Sequence, residues 1–211
     1  MIPRANLAAP LTGSAFAVLS LVVIAITPSS PKASTSGNQV LAFYAKHHST
    51  ERTSILLGML AFAFFLAFAA FLSTHLRTSE RNGGLGILSV AAATVFVVGF
   101  TINSGFSFAL ADVGAHLPAA TAKTLNVLDE DVFFAIAGGL GLFAIATGLA
   151  ILQDRPLPKW LGWSALAIGL AAFTPLFGIA LIALSLWTLL ASTVLYRAAR
   201  RQPVAEVATA T

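Results

Sequence analysis

The chain has 211 residues, 57% hydrophobic and 9% charged, with no cysteine and a mean hydropathy of +0.87. An ordinary soluble domain carries about 25% charged residues, so too little polar surface exists to cover a water-soluble fold of this length. The missing cysteines exclude a disulfide scaffold, a thiolate metal centre and thiol chemistry. What remains is an all-α, polytopic membrane helical bundle.

A bilayer core of ~30 Å needs about 20 apolar helical residues with every backbone group paired internally. Uncharged stretches of that kind predict spans at about 11–27, 54–74, 84–111 and 132–153. A signal peptide is one reading of the first, but its 17 residues are long for an h-region and no A-x-A site follows, so an uncleaved signal anchor is expected. The last stretch, Trp160 to Tyr196, has 37 residues, which as one helix would reach about 55 Å. Its break is Thr174-Pro175-Leu176-Phe177-Gly178, where proline removes a donor and restricts the residue before it. Two antiparallel spans, 160–174 and 176–196, are therefore predicted, giving six transmembrane helices in a single domain, 1–201. One kinked span with an interfacial helix stays open as the alternative. Residues 202–211 are expected to form a disordered cytoplasmic tail.

With six spans, eight of the basic residues fall on one side (Arg4, Arg77, Arg81, Arg155, Lys159, Arg197, Arg200 and Arg201). Four fall on the other: Lys32, Lys46, Arg52 and Lys123. The positive-inside rule puts both termini in the cytoplasm. The bases are scattered at helix ends, where they face anionic lipid headgroups; no nucleic-acid partner is implied. Trp160, Trp163 and Tyr196 suit an aromatic belt at one interface, with Trp187 deeper, between helices or facing lipid.

The two long connections are Pro28 to Thr53 and Asp112 to Asp131, both outside in this topology. Leu157-Pro158-Lys159-Trp160-Leu161-Gly162-Trp163 opens an apolar hairpin that ends in Trp187 and Ser192, and Phe43-Tyr44-Ala45 stands ahead of the second span. In these segments the chain resembles small polytopic integral membrane proteins of unknown function common in actinobacteria. The resemblance implies a bacterial cytoplasmic (inner) membrane protein and carries over no catalytic residue.

An ionisable residue inside the bilayer is a functional hypothesis by default, and the six predicted cores hold none. A retinal lysine, paired axial haem histidines and a buried carboxylate relay are thus all missing, and no cofactor or metal is expected. The main candidate polar site is the end of the third span. Asn103 and Ser107 are four residues apart, and Asp112 and His116 continue near that step. One reading is a polar pocket open to the outer face, with Asp112 and His116 as acid–base or metal groups; the other is ordinary interhelical hydrogen bonding. Asp129-Glu130-Asp131 is expected to cap the fourth span and complement its dipole, and His47-His48 to be a solvated pair.

Ala137, Gly141, Ala144 and Gly148 line one face of the fourth span with small residues for close helix packing, within the bundle or against another subunit. In the second span Ala63, Ala67 and Ala70 are expected to pack, and Phe64, Phe68 and Phe71 to meet lipid or wall an apolar cavity. Three functional classes stay open. The first expectation, leaning away from an enzyme, is a non-catalytic membrane component or accessory subunit, with membrane lipids and a membrane protein or a second copy as partners. The second is a carrier or binder of an uncharged or lipidic solute near Asn103. The third is an interfacial enzyme using Asp112 and His116.

Overall fold

The structure is a computed structural model describing residues 8–77, 80–113 and 116–201. Arg4 and the 202–211 tail, which entered the topology above, lie outside the described residues. The described residues form seven helices and no strand: α1 (Ala8–Ile26), α2 (Gly37–Leu76), α3 (Glu80–Val113), α4 (Ala119–Asp131), α5 (Phe133–Asp154), α6 (Lys159–Ala171) and α7 (Phe177–Arg201).

Five helical stretches are long and apolar enough to cross a membrane: Ala8–Ile26, Gly37–Leu76, Gly83–Val113, Ala119–Asp154 and Phe177–Arg200. Large exposed side chains such as Leu56, Ile87, Phe134 and Ile179 surround the bundle, as expected where lipid is the solvent. The α6 helix has 13 residues, about 20 Å at ~1.5 Å each, well short of the ~30 Å core.

Successive helices run antiparallel, except that α5 continues the direction of α4 through Val132. Phe16 meets Phe65 between α1 and α2, and Phe62 stacks on Phe100 between α2 and α3. A β-carbon on Gly139 would touch the Phe96 backbone between α5 and α3, and one on Gly148 the Gly162 carbonyl between α5 and α6. The α7 helix returns along α1, where Ser20 and Ser185 share a hydrogen bond of 2.8 Å. The break at Thr174-Pro175 is a tight turn between α6 and α7. Trp187 donates its indole N–H to the Leu161 carbonyl at 2.9 Å. The two residues stand equally far from Thr174 on either side, so α6 and α7 form a hairpin and not one kinked helix. Trp187 is 3% exposed, between helices, whereas Trp160 and Trp163 point outward.

Both long connections differ from the expected loops. The α2 helix has 40 residues, about 60 Å and twice the bilayer core, so 37–53 is a continuous helical extension of the apolar run. It starts where Gln39 accepts hydrogen bonds from the Ser36 N–H and hydroxyl. Most of Asp112–Asp131 is α4. The extension of α2, the end of α3 and α4 enclose a small core of Val40, Tyr44, Leu110, Ala111 and Ala122. We call this the head; residues 37–53 and 119–131 of it lie beyond the uncharged runs. The link 27–36 is strapped to it: Asn126 donates to the Pro31 and Lys32 carbonyls (3.2 Å each), and Ala33 N–H to Glu130 (2.6 Å).

Two packing expectations are corrected. Ala63, Ala67 and Ala70 are exposed, while Phe65 and Phe68 are buried and Phe64 and Phe71 half-buried. Rings fill the space around α2, and its small residues face outward because no helix approaches there. Asp129-Glu130-Asp131 ends α4 and does not cap α5, whose N-cap position is Val132 with no side-chain cap. Asp129 and Glu130 instead tie neighbouring elements together.

Candidate functional site

The polar residues of the head converge below its small core. Asn103 and Ser107, one turn apart on α3, both face α4. The Asn103 amide donates to the Asp129 side chain and backbone carbonyl at 2.8 Å each, and the Ser107 hydroxyl donates to the same carboxylate oxygen at 2.9 Å. Burial raises the Asp129 pKa to about 6, opposed by the Ser107 and Asn103 hydrogen bonds and assisted by Glu130.

Glu51 faces the same region from α2. It is 4% exposed, and its Oε1 is buried with no hydrogen-bond partner. Burial raises its pKa, the Asp129 charge adds to this, and His47 opposes it. Two turns earlier lies Tyr44, buried, its hydroxyl near Ser107 and Ser30 without completing a hydrogen bond to either. Burial pushes that phenol up to about 12, so it stays neutral and able to donate.

Three hollows meet here. A cavity of about 140 Å³ is lined by Ser30, Glu51, Ser54, Asn103, Ser104 and Ser107, among others. An apolar cavity of about 210 Å³ lies alongside, toward α7, bounded by Phe16, Ile24, Ala61, Phe96 and Leu181. The two share Val23, Thr27, Gly58, Phe62 and Phe100 as walls. The Ser20 and Ser185 hydroxyls on the apolar cavity already bond to each other, so nothing there asks for a polar ligand atom. A wider cleft of about 580 Å³ runs past Asn103, Asp129 and Glu130 to Phe133 and Phe177.

Of the four expected site residues, the structure brings Asn103 and Ser107 together, onto Asp129. Asp112 is elsewhere, exposed and paired with Arg52 at 3.4 Å, while Arg52 lies over the Phe108 ring. His116 is exposed after the end of α3, and no hydrogen bond or ion pair among the described residues joins it to Asp112. No group of three His, Asp or Glu residues among the described residues is placed to hold a metal. The small-residue face of α5 is used within the chain: Ala137 and Ala144 are buried, Gly141 meets Phe173, and Gly148 meets Gly162 and Leu166.

Sequence reasoning missed Glu51 and Tyr44 as site residues and assigned Asp129 to a helix cap. A signal existed for the first two: Val40, Tyr44, Glu51, Ser54, Gly58 and Ala61 continue one helical stripe from the polar segment into the apolar run. No family model matches the chain, and no curated protein or solved structure is detectably similar to it.

Proposed function

We propose that this chain is a non-catalytic, multi-pass membrane protein that binds or carries a small lipidic solute at the base of its head. The observation that carries the reading is an apolar cavity walled by phenylalanines that abuts a hollow lined by a buried carboxylate with one unpartnered oxygen. Ligand sites are concave and mostly apolar, with a few polar groups that fix orientation. The interfacial-enzyme reading has less support, because Asp112 is engaged by Arg52. An accessory-subunit role would need a surface other than the small-residue face of α5, which α3 and α6 occupy.

In this reading α6 is a short sixth crossing with its Trp160 belt at the cytoplasmic face, both termini are cytoplasmic, and the head faces outward from a bacterial inner membrane. The distribution of basic residues supports that orientation, and the hairpin geometry supports returning α7 to the side where α1 begins. Because the chain has no cysteine, single replacements report topology directly. Ser34→Cys should react with an impermeant maleimide on intact cells and Gln153→Cys only after permeabilisation. The reverse pattern would overturn the orientation.

Binding is tested by gentle extraction and mass spectrometry of co-purifying lipids. Wild type should retain a lipidic molecule that Gly58→Leu loses, since a β-carbon at Gly58 meets nothing nearer than Phe62 at 3.9 Å and a longer side chain would extend from the wall both cavities share. Equal lipid content in the two proteins would sink the reading.

A further inference from the structure

We propose that the solute carries a primary ammonium group, seated between Glu51 and Asn103, with its apolar tail among Phe62, Phe96 and Phe100. The inference rests on the lipid-binding reading and specifies the head group.

Four observations carry it. Glu51 lines the hollow with Ser30, Ser54, Asn103 and Ser107, and one of its carboxylate oxygens, Oε1, is buried with no partner. An orphaned buried acceptor is costly, and a bound donor removes that cost. Second, the charge there is mostly negative, with His47, one turn before Glu51 on α2, as the basic group that acts on it. Asp129 stands on the far side of Asn103 and Ser107, and no lysine or arginine among the described residues pairs with it or with Glu51; Arg52, next in sequence, is turned to Asp112. Third, Asn103 adds a second acceptor to the hollow beside Glu51, while the unpaired Tyr44 hydroxyl lies toward Ser107 and Ser30. Asn103 donates its amide hydrogens to Asp129, leaving its own Oδ1 free to accept. An ammonium brings three N–H donors and no acceptor, which matches this set. A trimethylated nitrogen has no N–H to offer, and a phosphate or carboxylate seated there in place of the ammonium would be repelled. Fourth, the hollow of about 140 Å³ is far larger than the ~10–15 Å³ of such space one water needs. It suits a head group, and the phenylalanine-walled cavity beside it suits a chain.

The same ammonium could belong to a single-chain amine or to the ethanolamine head of a membrane lipid. The full chain, purified in a neutral maltoside, would be titrated with dodecylamine, dodecanol, dodecyltrimethylammonium and a lysophosphatidylethanolamine, following thermal stability and native mass spectra. Dodecylamine should bind about tenfold or more tighter than dodecanol and than dodecyltrimethylammonium, the factor expected for a charge-assisted hydrogen bond to a buried carboxylate. Glu51→Gln should abolish that preference, bringing dodecylamine down to the affinity of dodecanol. Tighter binding of dodecylamine than of the lysolipid assigns the free amine, and the reverse assigns the lipid head; either upholds the ammonium. Equal affinity for dodecylamine and dodecanol, or a preference that survives Glu51→Gln, overturns the ammonium but leaves lipid binding standing. No binding by any of the four overturns both. Gly58→Leu keeps both carboxylates and should lose all four, which separates cavity occupation from a folding defect at Glu51.

Discussion

The two sides of this bundle are built on opposite plans. Along α5, glycine brings backbones together: a β-carbon on Gly139 would run into the Phe96 nitrogen, and one on Gly148 would fall 2.7 Å from the Gly162 carbonyl oxygen. Around the head end of α2, phenylalanine holds helices apart, with Phe62 stacked on Phe100 at 4.9 Å and edge-on to Phe96 at 6.1 Å. Without a hydrophobic drive between helices in lipid, close packing stabilises the first region. The second gives up some of that contact and keeps hollow space. The α5 side is thus the scaffold, and the side between α1, α2 and α3 is where a guest has room.

Substitutions can break this contrast, and the largest effect belongs to the scaffold. Gly139→Ala should cost about 3 kcal/mol, at the upper end for overpacking, because the clash is with backbone that cannot rotate away. Loss of folded protein in fluorescence-detected size exclusion is the check. Asn103→Leu comes next. It strips Asp129 of two hydrogen bonds and should cost about 1–3 kcal/mol, read as a lower melting temperature, together with lost lipid retention.

A pH series gives a smaller effect with a defined sign. The folded-state pKa of Asp129 is raised to about 6 from 3.8, so the folded state binds its proton more tightly than the unfolded chain. That stabilisation is present below pH 4 and is lost as pH rises through 6. The melting temperature contributed by this site should fall over that interval, and Asp129→Asn should flatten the fall. Glu51, Glu130, His47 and Tyr44 surround the site, so Glu51→Gln should flatten it further. Ligand binding should run the other way, strengthening as the carboxylates ionise.

The smallest effect is the most pointed comparison with Gly139. Gly58→Ala places its methyl in ordinary contact with Phe62 alone and should stabilise α2 by up to about 1 kcal/mol. One glycine-to-alanine change would then unfold the scaffold and its counterpart would firm up the guest side. If Gly58→Ala were as damaging as Gly139→Ala, the distinction between the regions would fail.

Much of the bundle was legible in the amino acids, because lipid imposes length and apolarity on anything that crosses it. The uncharged runs, the turn at Thr174-Pro175 and the close-packed face of α5 all follow from that. The head was not legible for the opposite reason: polar residues are compatible with both loop and helix. Only the stripe through Val40, Tyr44 and Glu51 shows that α2 does not end where its apolar run does. Asp129 was misread because a carboxylate before an apolar run satisfies the rule for a cap, and only the fold reveals that Asn103 and Ser107 reach it first. The alanines and phenylalanines of α2 exchanged roles because residue size says which pairs can approach closely, not how far away the neighbour stands.

The unbroken length of α2 has a mechanical consequence. A helix of 40 residues with no proline, and with Gly37 at its first position and Gly58 as its only other glycine, is a stiff rod, so Tyr44 and Glu51 cannot swing without carrying Phe62 and Phe65 along. The joints lie in the partners: the turn at Val132 between α4 and α5, just past Asp129, and the 27–36 strap held to α4 by Asn126 and Glu130. If the hollow takes a solute as proposed, α4 and its strap, and not α2, are the elements that would have to move to admit it.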